Sequence, residues 1–208
     1  MYDSTNTIAQ FLDGASAKQP APGGGSVTAL VGALAASMGE MALNYSVGRK
    51  SLAAYEPELR EALAEFTRLR SMMLQLMTED QAAYEAITAL KKLPDDSVER
   101  KEKFLPTLLA CIRVPQAMAA AGLVAIELCD RLVDKSNPYL LSDLAVCAEL
   151  SMAAVRCGVY NVRVNLGDLS DAADKVSMQR TLDLILARGT ELIQRVIPRI
   201  WTRIENPG

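Results

Sequence analysis

PAPGGGSVTALVGALAA, residues Pro20 to Ala36, decides how this chain folds. Two prolines and three consecutive glycines run straight into an Ala/Leu/Val segment. Proline and glycine interrupt regular structure, whereas alanine and leucine propagate a helix. Ser26 is placed to cap a helix that continues to about Ser46. Ala29, Gly32, Ala33, Ala36, Gly39 and Ala42 recur along it at helical spacings. A helix apolar on most sides is a buried one, and small residues let neighbouring backbones approach closely.

The rest of the chain repeats the alternation of helix and breaker. A short helix is expected over Thr7 to Lys18, with Ile8, Phe11, Leu12 and Ala15 on one face. Gly48 and Arg49-Lys50 close the glycine-led helix. Pro57 sits in the first turn of a long helix reaching about Leu90. LPDDSVER is a loop and a new helix start. Helices then cover Glu99 to Asp134, with Pro106 and Pro115 expected to kink or split them. Another runs from Pro138 to Asn165, residues 168–171 turn, and a last helix spans Ala173 to Ile204. Strand signals are nearly absent. The expectation is all-α: one domain over residues 1–208, a bundle of long helices that forms a homodimer through helix packing.

Composition narrows the function. The chain has 208 residues, half of them hydrophobic, with net charge −3. It lacks the basic field of a nucleic-acid binder. MYDSTNTIAQ has no basic or apolar leader region, and the apolar run Val27 to Gly39 is too short to span a bilayer. A soluble cytoplasmic protein, with no membrane and no nucleic-acid partner, is expected. Cys111, Cys129, Cys147 and Cys157 form no C-x-x-C pair and are read as small buried residues in a reducing compartment. Histidine is absent altogether. That removes Ser-His-Asp triads, Cys-His dyads and imidazole metal sites, and no metal is expected. Chemistry falls to carboxylates, Lys, Arg, Tyr, Ser, Cys or backbone groups.

Five places could carry it. Gly23, Gly24 and Gly25, with Ser26, bare backbone N–H groups at the positive end of a helix, where an anionic or carbonyl ligand fits; a plain connection between helices is the alternative. Neither a Walker A loop nor a dinucleotide fingerprint is present. Arg49 and Lys50 are either a carboxylate or phosphate clamp or simple compensation of a helix dipole. Asp80 has Leu76, Met77, Tyr84 and Ile87 as helical neighbours, all expected to face inward. A carboxyl group among them has a raised pKa and suits general acid/base work, whereas on the polar side it is an ordinary surface acid. Ser142 and Asp143 fall early in a helix, where capping explains them. Asn161 and Asn165, one turn apart, need hydrogen-bond partners if buried.

In combination these segments resemble the cyclodeaminase/cyclohydrolase family of folate enzymes over nearly the whole chain. The motifs that carry the resemblance are P-x-P-G-G-G-S and the Ala-rich helix ending in a basic pair, at Pro20 to Lys50. They continue with Asp80-Gln81-Ala82-Ala83-Tyr84, Leu93-Pro94, Val114-Pro115, Asn137 with Ser142-Asp143, and Asn161 to Leu166. Ser136 stands where the family usually has glycine, and Arg49-Lys50-Ser51 replaces a more lysine-rich run. The resemblance implies a homodimer of all-α subunits binding a tetrahydrofolate substrate near the subunit interface, with no permanently bound cofactor. It implies Asp80 as the catalytic acid/base and Gly23, Gly24, Gly25 and Ser26 as a cradle for the ligand. Arg49 and Lys50 would meet the glutamate carboxylates, and Asn137, Asp143 and Asn165 the pterin edge. The implied activity is conversion of 5-formiminotetrahydrofolate to 5,10-methenyltetrahydrofolate with release of ammonia. The alternatives are hydrolysis of the methenyl form to 10-formyltetrahydrofolate, or folate binding without turnover. No formiminotransferase domain is expected on the chain, so a separate one is a possible partner.

Overall fold

The computed structural model describes residues 2–206. Six α-helices account for most of them: α1 (Ile8–Ser16), α2 (Gly24–Asn44), α3 (Glu56–Lys91), α4 (Val98–Leu132), α5 (Leu141–Leu166) and α6 (Ala172–Glu205). Short 3₁₀ turns, Lys50–Tyr55 and Pro138–Leu140, lead into α3 and α5. Among the described residues there is no strand.

Helix boundaries follow local chemistry. Thr7 caps α1 with a reciprocal bond to Gln10, the Ser97 hydroxyl caps α4, and the Asp171 carboxylate caps α6. Each satisfies an orphan N–H of a first turn. α2 stops at Asn44, earlier than the sequence suggested, and Gly48 then makes the turn with φ of 78°. That left-handed conformation favours glycine. α4 runs unbroken through Pro106 and Pro115. The expected split does not occur, because burial of α4 outweighs the loss of two helix bonds.

α2 lies at the centre, antiparallel to α3 on one side and to α5 on the other. Its contact with α3 is a regular seam. An added Cβ would fall 2.6 Å from the Phe66 ring at Gly39, and 2.5 Å from the Met73 methyl at Gly32. It would fall 2.0 Å from an Asp80 carboxylate oxygen at Gly25. Glycines at every seventh residue of α2 thus receive side chains at every seventh residue of α3. Two steps of the seam hold an aromatic ring and a thioether; the third, at the end of α2, holds a carboxylate. α4 and α5 pack on this pair, and α6 is tied to α4 by Asp130, which meets Arg195 and Arg199. The core gathers Leu43, Leu59, Phe66, Met77, Met118, Leu132 and Leu144. α2 and α4 are long and apolar enough to cross a bilayer, but each lies in the bundle with about half of its apolar stretch buried.

Candidate functional site

The glycine run and Asp80 meet where the α2–α3 seam ends. Gly23, in extended conformation, is the N-cap of α2 and offers no side-chain cap. Ser26, expected at the cap, instead sits within the first turn and is fully buried. Asp80 supplies the missing acceptor from α3. Its carboxylate accepts the Ser26 hydroxyl at 3.3 Å and lies beside the Ser26 backbone N–H, which also favours the charged form. A glycine at the cap is tolerated because a carboxylate from another helix does the capping.

Burial holds the Asp80 pKa above the ordinary carboxylate value, and the Ser26 hydroxyl and backbone N–H offset only part of that effect. The sequence left open whether Asp80 turns inward or is an ordinary surface acid. Glu79 is exposed and bonds Gln75, whereas Asp80 points into the bundle. Leu76, Met77 and Ile87 are buried as expected, but Tyr84 is half exposed, one turn beyond Asp80 at the mouth of a cleft. Cys157 likewise departs from expectation, being exposed on α5 while the other three cysteines are buried.

The cleft has a volume of about 310 Å³ and opens over Gly23 to Ser26. Asp80, Gln81 and Tyr84 form its α3 wall; Asn161, Val164 and Asn165 form its α5 wall. Asn165 is held by a carbonyl that a proline has freed. Pro115 has no N–H to return to Cys111 one turn earlier, and the Cys111 carbonyl accepts the Asn165 amide at 2.9 Å. Of the residues expected to bind ligand, Gly23, Gly24, Gly25, Ser26, Asp80 and Asn165 therefore share one cleft. Asn161 completes it. The sequence reading noticed its spacing from Asn165 but did not assign it; the Gly24 approach, 3.1 Å from an added Cβ to Asn161 Oδ1, requires the fold to be seen.

Arg49, Lys50, Asn137 and Asp143 are not brought to that cleft within one chain. They lie at the other end of α2, whose 21 residues span about 30 Å. Arg49 and Lys50 are exposed and, among the described residues, meet no carboxylate. Asp143 is partly exposed in the first turn of α5. Asn137 is buried and its side chain is committed: the amide donates to the Tyr45 carbonyl at 3.0 Å, and Oδ1 accepts the Tyr139 N–H. Its backbone N–H donates to the Ser46 hydroxyl. Asn137 thus locks the end of α2 to the start of α5. Ser136 is buried beside it, its hydroxyl bonded to the Leu132 carbonyl.

A partly buried carboxyl group thus stands at a glycine-lined helix N-terminus within a helical bundle. The chain belongs to the formiminotransferase-cyclodeaminase family, which it matches over residues 7–183. It is 28% identical over 202 residues to the methenyltetrahydrofolate cyclohydrolase of Methylorubrum extorquens, covering 95% of this chain and 97% of that protein. It is 27% identical to the formimidoyltransferase-cyclodeaminase of Sus scrofa over 93% of its own length, but spans only 36% of that longer protein. In structure it matches the formiminotetrahydrofolate cyclodeaminase of Thermotoga maritima with a TM-score of 0.88 at 24% identity, covering 96% of this chain and 98% of the other.

Proposed function

We propose that this chain is a folate cyclodeaminase, turning 5-formiminotetrahydrofolate into 5,10-methenyltetrahydrofolate and ammonia. The observation that carries the reading is the raised pKa of Asp80 inside the cleft. A carboxyl group that burial makes hold its proton more strongly can hand that proton to a leaving amine. In this scheme N10 attacks the carbon of the formimino group, whose nitrogen is protonated, to give a tetrahedral carbon. One proton must then move from N10 to the amino group, and Asp80 carries it. The bond from carbon to the resulting NH3+ group then breaks, ammonia leaves, and the positive charge stays on the methenyl bridge. Tetrahydrofolate enters as substrate, and the scheme uses no resident cofactor. The free thiols suit the cytoplasm.

A second reading, methenyltetrahydrofolate cyclohydrolase, is favoured by the end-to-end likeness to the Methylorubrum protein. There Asp80 would act ionised, as the base for water. Methenyltetrahydrofolate absorbs in the near ultraviolet. A band that grows with 5-formiminotetrahydrofolate while ammonia appears supports the first reading. Accelerated decay of added methenyltetrahydrofolate, with no turnover of the formimino form, replaces it with the second. Folate binding with neither reaction would leave a non-catalytic binder.

A homodimer fits this site. α2 buries its glycine face yet leaves Val27, Leu34 and Met41 exposed, seven residues apart and 40–48% accessible. α5 beside it exposes Val146, Tyr160 and Val164. Together they make an apolar face that a second copy can cover. Leu34 is the midpoint of the α2 stripe. A two-fold axis there packs α2 against its copy in antiparallel fashion and sets the partner subunit's Arg49 and Lys50 beside the Pro20 end of the cleft. Those cations would then meet the glutamate tail of folate. Leu34→Glu is expected to convert the wild-type dimer into a folded monomer in sedimentation, with weakened folate binding. A wild-type protein that sediments at its 22.5 kDa monomer mass while fully active would rule the arrangement out.

A further inference from the structure

Three amides line the cleft, and their hydrogen bonds divide them. Gln81 is fully spent. Its Oε1 accepts the Tyr2 N–H at 2.7 Å, and its Nε2 donates to the Tyr2 carbonyl at 2.7 Å and the Met77 carbonyl at 3.0 Å. Asn161 and Asn165 are half spent. Asn161 Nδ2 donates to the Cys157 carbonyl at 2.9 Å and to the Thr28 hydroxyl at 3.3 Å. Asn165 Nδ2 donates to the Cys111 carbonyl at 2.9 Å and the Asn161 carbonyl at 3.0 Å.

These partners fix which way each amide faces. Carbonyls only accept, so turning over either asparagine would aim its oxygen at theirs. Thr28 cannot rescue a turned Asn161, because its own proton goes to the Gly24 carbonyl at 2.7 Å. The Cys111 carbonyl is available to Asn165 because Pro115 has no N–H to claim it. What remains is the two Oδ1 atoms. Among the described residues neither accepts a hydrogen bond, and neither is sealed away from solvent. Asn161 Oδ1 sits over Gly24, and Asn165 lines the cleft one turn further along α5.

We propose that Asn161 and Asn165 form a fixed pair of hydrogen-bond acceptors that reads N–H donors on the ring of the ligand. The proposal rests on the folate reading above and deepens it. A reduced pterin offers three such donors, the 2-amino group, N3–H and N8–H. The pair is uncharged, so it selects donors without competing for the proton that Asp80 carries. Both asparagines are positioned before ligand arrives, with their NH2 groups anchored to backbone or to Thr28. Little freedom is lost on binding, and an unmatched ligand leaves a desolvated oxygen without a partner.

The test is calorimetric binding of tetrahydrofolate and three analogues to the wild-type protein, Asn161→Ala and Asn165→Ala. The analogues carry methyl for the 2-amino group, methyl on N3, or methylene for N8–H. On the wild type, at least one analogue should bind roughly tenfold or more weakly than tetrahydrofolate. That penalty should shrink to about twofold or less in the variant lacking the matching acceptor. A merely structural asparagine would weaken all four ligands alike and leave their ratios unchanged. Wild-type affinities equal for all four ligands, or penalties unchanged in both variants, would overturn the acceptor pair while leaving the folate site standing. Failure of tetrahydrofolate itself to bind the wild type would remove the folate reading and the acceptor pair together.

Discussion

Gly25→Ala is expected to lower kcat by about 10² or more while the protein stays folded. The new Cβ would lie 2.0 Å from Asp80 Oδ1, 2.3 Å from its carboxyl carbon and 2.5 Å from Oδ2. No rotation about the last bond of the aspartate clears all three atoms, so the carboxyl group must leave its place beside Ser26. Alanine is the better helix former by about 1 kcal/mol, which offsets part of the strain and keeps α2 intact. The loss should therefore be specific to the reaction. A double variant, Gly25→Ala with Asp80→Asn, should be no slower than Asp80→Asn alone, since both changes remove one function. Steady-state rates of the three variants decide this. Full activity in Gly25→Ala would show that the carboxyl group is not needed where the structure places it. Gly24→Val is expected to be milder toward Asp80 and to act on ligand binding, because a side chain there meets Asn161 instead.

Asp80→Asn is expected to lose about 10²-fold or more in rate while keeping folate affinity. It should also make the protein more resistant to unfolding at neutral pH. The direction follows from linkage. The carboxyl pKa is higher in the folded protein than in the unfolded chain, because burial disfavours the charge. As pH rises from below the unfolded value through the folded one, the unfolded chain releases a proton that the folded protein still holds. Stability is lost as the pH rises through that window, and pH 7 lies above its lower edge, the unfolded value. Asparagine carries no such penalty. The gain should be visible in thermal unfolding at pH 7 and absent in strong acid, where Asp80 is protonated in both states. A variant that is inactive and also less stable at pH 7 would mean that Asp80 is chiefly a structural cap for α2.

Much of this could be read from the sequence, for reasons that differ by element. The all-α fold follows from long apolar periodicities and helix breakers, and the glycine run marks the start of α2 to within one turn. The stretch at Asp80 stood out because a carboxylate among apolar neighbours is costly. The seam was also written in the chain, as Gly25, Gly32 and Gly39 facing Phe66, Met73 and Asp80, but its register becomes evident only when the two helices are paired. Ser26 was expected at the cap because the capping group, Asp80, lies 54 residues away and no local rule finds it. Pro106 and Pro115 looked like breaks because local rules do not count the burial that holds α4 together. Asn161 was noticed for its spacing from Asn165 but given no role, since the sequence cannot say which amide hydrogens are already committed. Arg49 and Lys50 were grouped with the cleft by motif order, whereas in space a whole helix separates them within one chain; the dimer proposed above is what would close that distance.

The central claim is that Asp80, held in the last step of the glycine seam, carries the proton of the reaction. The most direct measurement is the pH dependence of the single-turnover rate with 5-formiminotetrahydrofolate, for the wild type and for Ser26→Ala. The rate should fall on a single limb lying above the ordinary carboxylate range. In Ser26→Ala that limb should move to higher pH, because a hydrogen bond that favours the ionised carboxylate is gone. A limb that stays where it was in Ser26→Ala would mean that the proton belongs to another group, and the account would be wrong at its centre.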